Sequence, residues 1–88
     1  MSRRMQWVWD NKVVPHSKIL RSDDPRFLRT VQILHEDGTS YLFRHAYLMK
    51  FEEFIAVFTE HNGEHIYCKE DLCCYAQFEL VGDGIESL

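Results

Sequence analysis

An Asn62-Gly63 pair sits between two runs rich in β-branched and aromatic residues, FIAVFTEH and EHIYC. Both turn residues tolerate positive φ, so the pair can fill the centre of a type I′ turn and fold its flanks into a hairpin. A two-residue connection also sets the register. His61 then faces Glu64, Glu60 faces His65, Thr59 faces Ile66, Phe58 faces Tyr67 and Val57 faces Cys68. These pairs are complementary in charge or joined by β-branched and aromatic contacts, as a strand ladder favours. A rival pattern exists, because Leu48, Phe51, Phe54, Ile55 and Phe58 also have helical spacing over residues 46–60. Both readings bury Phe54 and Phe58.

Asp37-Gly38 marks a second hairpin over residues 27–45, with Glu36 opposite Thr39, Leu34 opposite Tyr41 and Ile33 opposite Leu42. Ahead of it, MQWVWD (5–10) reads as a short strand. Residues 10–26 hold Pro15, Pro25 and an SDDP segment, and read as connection with a short edge strand from Lys18 to Leu20. Pro25 restricts Asp24 to extended backbone, and Ser22 or Asp23 is placed to cap a single turn. After Cys68, the segment 70–79 reads as a short helix with Glu70 and Asp71 at its start, while alternation over 72–81 offers a strand instead. Gly82-Asp83-Gly84 leads into a frayed tail.

The expected fold is one small α+β domain over residues 1–88. A mainly antiparallel sheet of four or five strands is packed by one or two short helices. The expected core contains Trp7, Val31, Ile33, Leu42, Leu48, Phe51, Phe54, Val57, Phe58, Ile66, Tyr67, Leu72, Ala76 and Leu80. With 88 residues and 45% apolar content, the chain can form such a core, although a domain this small buries only roughly 60–65% of its unfolded surface. Open sheet edges in so small a domain invite pairing, and a homodimer is an expected consequence.

No apolar run reaches the ~20 residues that cross a bilayer. The opening MSRRMQWVWD lacks the apolar stretch of a signal peptide, so a cytoplasmic protein without a membrane partner is expected. Cys68, Cys73 and Cys74 are too few and too clustered for a disulfide framework, which suggests reduced thiols within the core.

Charge is divided unevenly. Residues 1–29 carry a local net of +4, while residues 30–88 carry −8 within a total of −4. Such asymmetry points to a partner surface more than to a small-molecule pocket. The favoured function is a non-enzymatic interaction or regulatory module. Its acids Glu52, Glu53, Glu60, Glu64, Glu70, Asp71 and Glu79, beside exposed aromatics, would engage a protein partner, and a basic one matches their charge. A solvated acidic face that only keeps the chain soluble explains the same residues.

The alternative is a nucleic-acid-binding protein that uses Arg3, Arg4 and Lys12 for phosphates and Trp7 and Trp9 for stacking. The acidic remainder would repel phosphate unless it faced away. A third class, a small metal- or thiol-dependent enzyme, rests on His61, His65, Cys68, Cys73 and Cys74. Within one strand His65 and Cys68 project to opposite faces, which disfavours shared metal ligation, and no local motif orients a histidine toward a thiol. A facing Glu60–His65 pair is explained as a surface contact without catalysis. No cofactor is expected.

Overall fold

The computed structural model describes residues 2–79 and shows a small α+β domain. Two three-stranded antiparallel sheets, ordered β2-β1-β6 and β3-β4-β5, pack together, and a helical run lies against the second. The strands are β1 (Arg29–His35), β2 (Ser40–Arg44), β3 (Ala46–Lys50), β4 (Phe54–Thr59), β5 (Glu64–Cys68) and β6 (Leu72–Glu79).

Residues 3–19 depart from the expected strand and connection. α1 (Arg3–Val8), a π-helical segment (Trp9–Val13) and α2 (Val14–Ile19) follow one another with helical dihedrals throughout. Ser2 caps the start by accepting from the Met5 N–H at 3.1 Å. Pro15 has no N–H to give to the preceding turn, and its ring crowds the carbonyl upstream. The helix accommodates it by widening just before, where the Val14 N–H reaches back to the Trp9 carbonyl across the π segment. Val8, Trp9, Val13 and Leu20 form the packed side of the run. Trp7 points away and is 56% exposed, so its place in the expected core is overturned.

Asp24, rather than Ser22 or Asp23, caps the following single turn, Pro25–Phe27. Its carboxylate accepts from the Arg26 backbone at 2.9 Å and from the Arg26 guanidinium at 2.8 Å.

Both hairpins form, each in a register different from the expected one. In the first, the Gly38 N–H donates to the His35 carbonyl and Gly38 takes φ 91°, giving a three-residue connection in which the His35 N–H donates to Thr39. Asp37 stabilises it by accepting from the Thr39 N–H at 2.9 Å. Ile33 therefore faces Tyr41 and Gln32 faces Leu42. This one-residue slip turns Leu42 to the outer face, where it is 56% exposed instead of in the core.

In the second hairpin the Thr59 N–H donates to the Gly63 carbonyl, and the Thr59 hydroxyl accepts from the Asn62 N–H at 2.8 Å. These bonds build a three-residue connection, Glu60 to Asn62, in place of the two-residue one. Val57 now faces His65 and Phe58 faces Glu64. Glu60 lies near His45 and His61 instead of opposite His65.

The segment after Cys68 is a short 3-10 turn, Lys69–Asp71, followed by the eight-residue strand β6. The expected helix over 70–79 is thus a strand, because β1 offers it an open edge along its whole length, from Arg29 opposite Glu79 to Leu34 opposite Cys74. Leu80 and the Gly82–Gly84 segment lie outside the described residues.

His45, at φ 53°, lets the chain pass from β2 into β3 and so from one sheet to the other. Its carbonyl accepts from the Glu60 N–H at 3.0 Å, which pins the corner. The result is three layers. Val31, Ile33, Ala46, Ile55, Val57 and Leu72 fill the space between the sheets. Val13, Phe27, Tyr47, Ala56 and Phe58 fill the space between the second sheet and the helical run. β4 lies in the middle layer, so all six of its residues are buried.

Candidate functional site

Position 54 begins β4 directly beneath the start of the helical run, and the turn before it projects Glu52 and Glu53 to the surface. Arg4, Trp7 and Val8 from the helix meet Phe51, Glu52, Glu53 and Phe54 around a cleft of about 280 Å³. Its floor is apolar and aromatic, and its rim is charged. A second cleft of about 350 Å³ shares Glu52, Glu53 and Phe54 and continues to Cys68, Lys69 and Glu70. The two therefore form one surface around the β3–β4 turn.

The expected acidic group is only partly brought together. Glu52, Glu53 and Glu70 line these clefts, whereas Glu60 and Glu64 line a third, of about 310 Å³, at the opposite end of β5. Asp71 borders a separate depression with His35, Glu36 and Asp37. Glu79 is placed elsewhere, bonded to Arg29 at 3.1 Å. Two more of the acids hold the helical run in place. Arg4 pairs with Glu53 at 2.7 Å, and the Ser17 hydroxyl donates to Glu64 at 2.8 Å.

The basic group is divided further. Arg4 is engaged by Glu53, and Trp9 packs against the core beneath the helix. Trp7 remains exposed with the Lys12 ammonium 5.9 Å from its ring, and Arg3 is exposed nearby. The Trp7/Trp9 pair does not share a face, because two residues along a helix rotate a side chain by more than half a turn. The helical face was partly legible as Trp9, Val13 and Leu20, at intervals of about one and two turns, but Pro15 obscured it.

The thiols divide in a way that corrects the expectation of core cysteines. Cys73 and Cys74 are exposed, and Cys68 is half-buried. Burial, followed by the carboxylates of Asp71, Glu70 and Glu53, pushes the Cys68 thiol up from its ordinary value. A nucleophilic cysteine needs the opposite shift. These carboxylates disfavour the thiolate form of Cys68. His65 turns toward Phe43, 4.9 Å away between ring centroids, on the face opposite Cys68. Among the described residues, no group of three or more His, Cys, Asp or Glu side chains is arranged to hold a metal ion.

Two aromatic assemblies escaped the sequence pattern. Tyr41, Phe43 and Tyr67 stack beside His35 between β2 and β5, and Tyr41 is 44% exposed. On the helix side, Tyr47 stacks on Phe58, lies against Phe27, and carries the Arg26 guanidinium 4.7 Å above its ring. The Tyr47 hydroxyl also meets His16 Nε2 at 2.6 Å. Burial and then Arg26 lower the His16 pKa, while burial raises that of Tyr47. Both groups are thus neutral near pH 7, and they share one hydrogen bond whose direction follows the His16 tautomer.

Beside this pair, hydrogen bonds from the Arg26 side chain and backbone hold the Asp24 carboxyl down at about 2. A depressed native pKa adds stability above the ordinary carboxylate value near 4, and that contribution disappears as pH falls through about 2. The melting-temperature difference between the wild type and Asp24→Asn is expected to be positive at pH 6 and to close by about pH 2. An unchanged difference across that window would dissociate Asp24 ionisation from stability.

Comparison with protein-family models, curated proteins and solved structures finds no match for this chain. Among the described residues, no helix is long and apolar enough to cross a membrane.

Proposed function

We propose that this domain is a non-enzymatic interaction module that binds a basic partner protein at the paired clefts around Glu52, Glu53 and Phe54. The observation that carries this reading is the joining of an exposed Trp7 and an apolar floor to an acidic rim in one surface. Aromatic anchors with a charged border are the usual composition of an interface centre and its rim. Carboxylates around Cys68 give the surface the sign that attracts Lys and Arg. The cleft volume suits one or two side chains of a partner more than a drug-sized ligand.

The test compares proteins captured from cell extract by the wild type, Trp7→Ala and Glu52→Lys, with titrations against short DNA and RNA at low salt. A partner captured by wild type is expected to bind Trp7→Ala at least about tenfold more weakly, as for a central aromatic anchor. Glu52→Lys is expected to slow association and flatten its salt dependence. Oligonucleotide binding that weakens on removal of the Arg3 and Arg4 charges would overturn the reading in favour of nucleic acid.

A further inference from the structure

We infer that the outer edge of β5, which no strand among the described residues pairs, takes up an extended basic segment of the partner as an added strand, an inference that rests on the acidic-surface reading above. β5 is an outer strand of its sheet, and its five residues are half-buried along their whole length. Bonds from Thr59 N–H to the Gly63 carbonyl and from Lys69 N–H to the Glu53 carbonyl bracket the β4–β5 ladder. Bonding alternates along an antiparallel strand, so His65 and Tyr67 bond inward to β4. The backbone groups of Glu64, Ile66 and Cys68 consequently point away from the sheet. Such a row is a template for another strand, about 17 Å long at ~3.4 Å per residue.

The other edges are less suited to a basic segment. On β3, the Leu48 N–H is already taken by the Gln77 side chain at 2.8 Å, and the Lys50 ammonium lies 5.7 Å from the Tyr75 ring, so β3 and β6 obstruct one another. β2 ends on Arg44, a cation.

β5 instead opens into an acidic cleft at each end. Glu60 and Glu64 lie at its start, and Glu52, Glu53 and Glu70 lie at its close. Of the cations in these clefts, Arg21 is paired with Asp23 at 3.2 Å, and Lys69 stands among the acids of the second. Glu64, Ile66 and Cys68 share one face of the strand. The incoming strand that matches them has alternate side chains in the order basic, apolar, basic, with its middle residue beside Ile66. Its remaining side chains meet His65 and Tyr67 on the other face.

The test is a titration of the ¹⁵N-labelled protein with the peptide Gly-Arg-Thr-Val-Thr-Arg-Gly, read by amide shifts and hydrogen exchange. The amides of Ile66 and Cys68 are expected to gain exchange protection on binding. N-methylation of the peptide backbone at alternate positions, which removes strand donors and keeps the charge, is expected to weaken binding at least tenfold. Glu64→Gln with Glu70→Gln is expected to weaken it several-fold and to reduce its salt dependence. If the N-methylated peptide binds as tightly while the Glu→Gln pair still weakens binding, strand addition is wrong and the acidic-surface reading survives. If the peptide does not bind, or if replacing both of its Arg residues with Glu leaves binding unchanged, both fall.

Discussion

Truncation of Phe58 to alanine is expected to destabilise the domain by about 3–5 kcal/mol, the range for removing a large aromatic from a core that cannot collapse around the gap. Phe58 is 1% exposed, stacks on Tyr47 at 5.5 Å between centroids, and receives the edge of His16 at 4.8 Å. Its neighbours belong to β3 and α2, each fixed by its own bonds, so none is free to fill the space. Domains of this size have roughly 5–15 kcal/mol of stability in total, so the variant should unfold at markedly lower denaturant concentration. Phe58→Leu, which retains most of the volume, should lose much less. A loss below about 1 kcal/mol in urea denaturation would mean that the helical run does not cover this face of the sheet.

Val13→Asp carries the second large expected effect. Val13 is wholly buried in the π segment, between the helical run and the sheet residues Tyr47, Ala56 and Phe58. A carboxylate there meets no cation within the cluster, and the Tyr47 hydroxyl is already engaged by His16, so the cost of burying the charge is several kcal/mol, enough to undock the run. Undocking would expose the aromatic face of the second sheet while leaving the space between the sheets filled. The variant should therefore bind a hydrophobic dye and lose helical circular dichroism before its strand signal, and Val13→Ala should show a smaller shift of the same kind. Simultaneous loss of both signals would show the two cores to be one cooperative unit.

The two expected effects come from the layer that local patterns concealed. Tryptophans at 7 and 9 have strand spacing, and Pro15 resembles a break. Yet Val8, Trp9, Val13 and Leu20 make a continuous packed side once the helix widens at Trp9–Val13. β6 was hidden for a different reason. Leu72, Tyr75 and Ala76 fit a helix nearly as well as a strand, and the choice depended on a vacant edge of β1 some forty residues earlier in the chain. The candidate surface was legible in part. Glu52, Glu53 and Glu70 stood out as acids, but their convergence with Trp7 depends on where the helical run docks.

Local chemistry in the sequence determined that chain reversals occur near Gly38 and Gly63, and that Val31, Ile33, Phe54, Val57, Phe58 and Leu72 are buried. It also determined that His65 and Cys68 point apart, because parity within a strand is independent of its partner. The registers were set locally, by turn bonds that the two glycine pairs alone did not reveal. Asp37 and Thr59 lengthen the two turns through their own hydrogen bonds, which moves Leu42 outward and sets Val57 against His65. Tertiary structure alone decided that β4 is buried on both faces, since one face is covered by a sheet closed by β6 and the other by a helix that begins some fifty residues away. Those contacts are long-range, and their free energy outweighs the propensity differences of a few tenths of a kcal/mol that local patterns report.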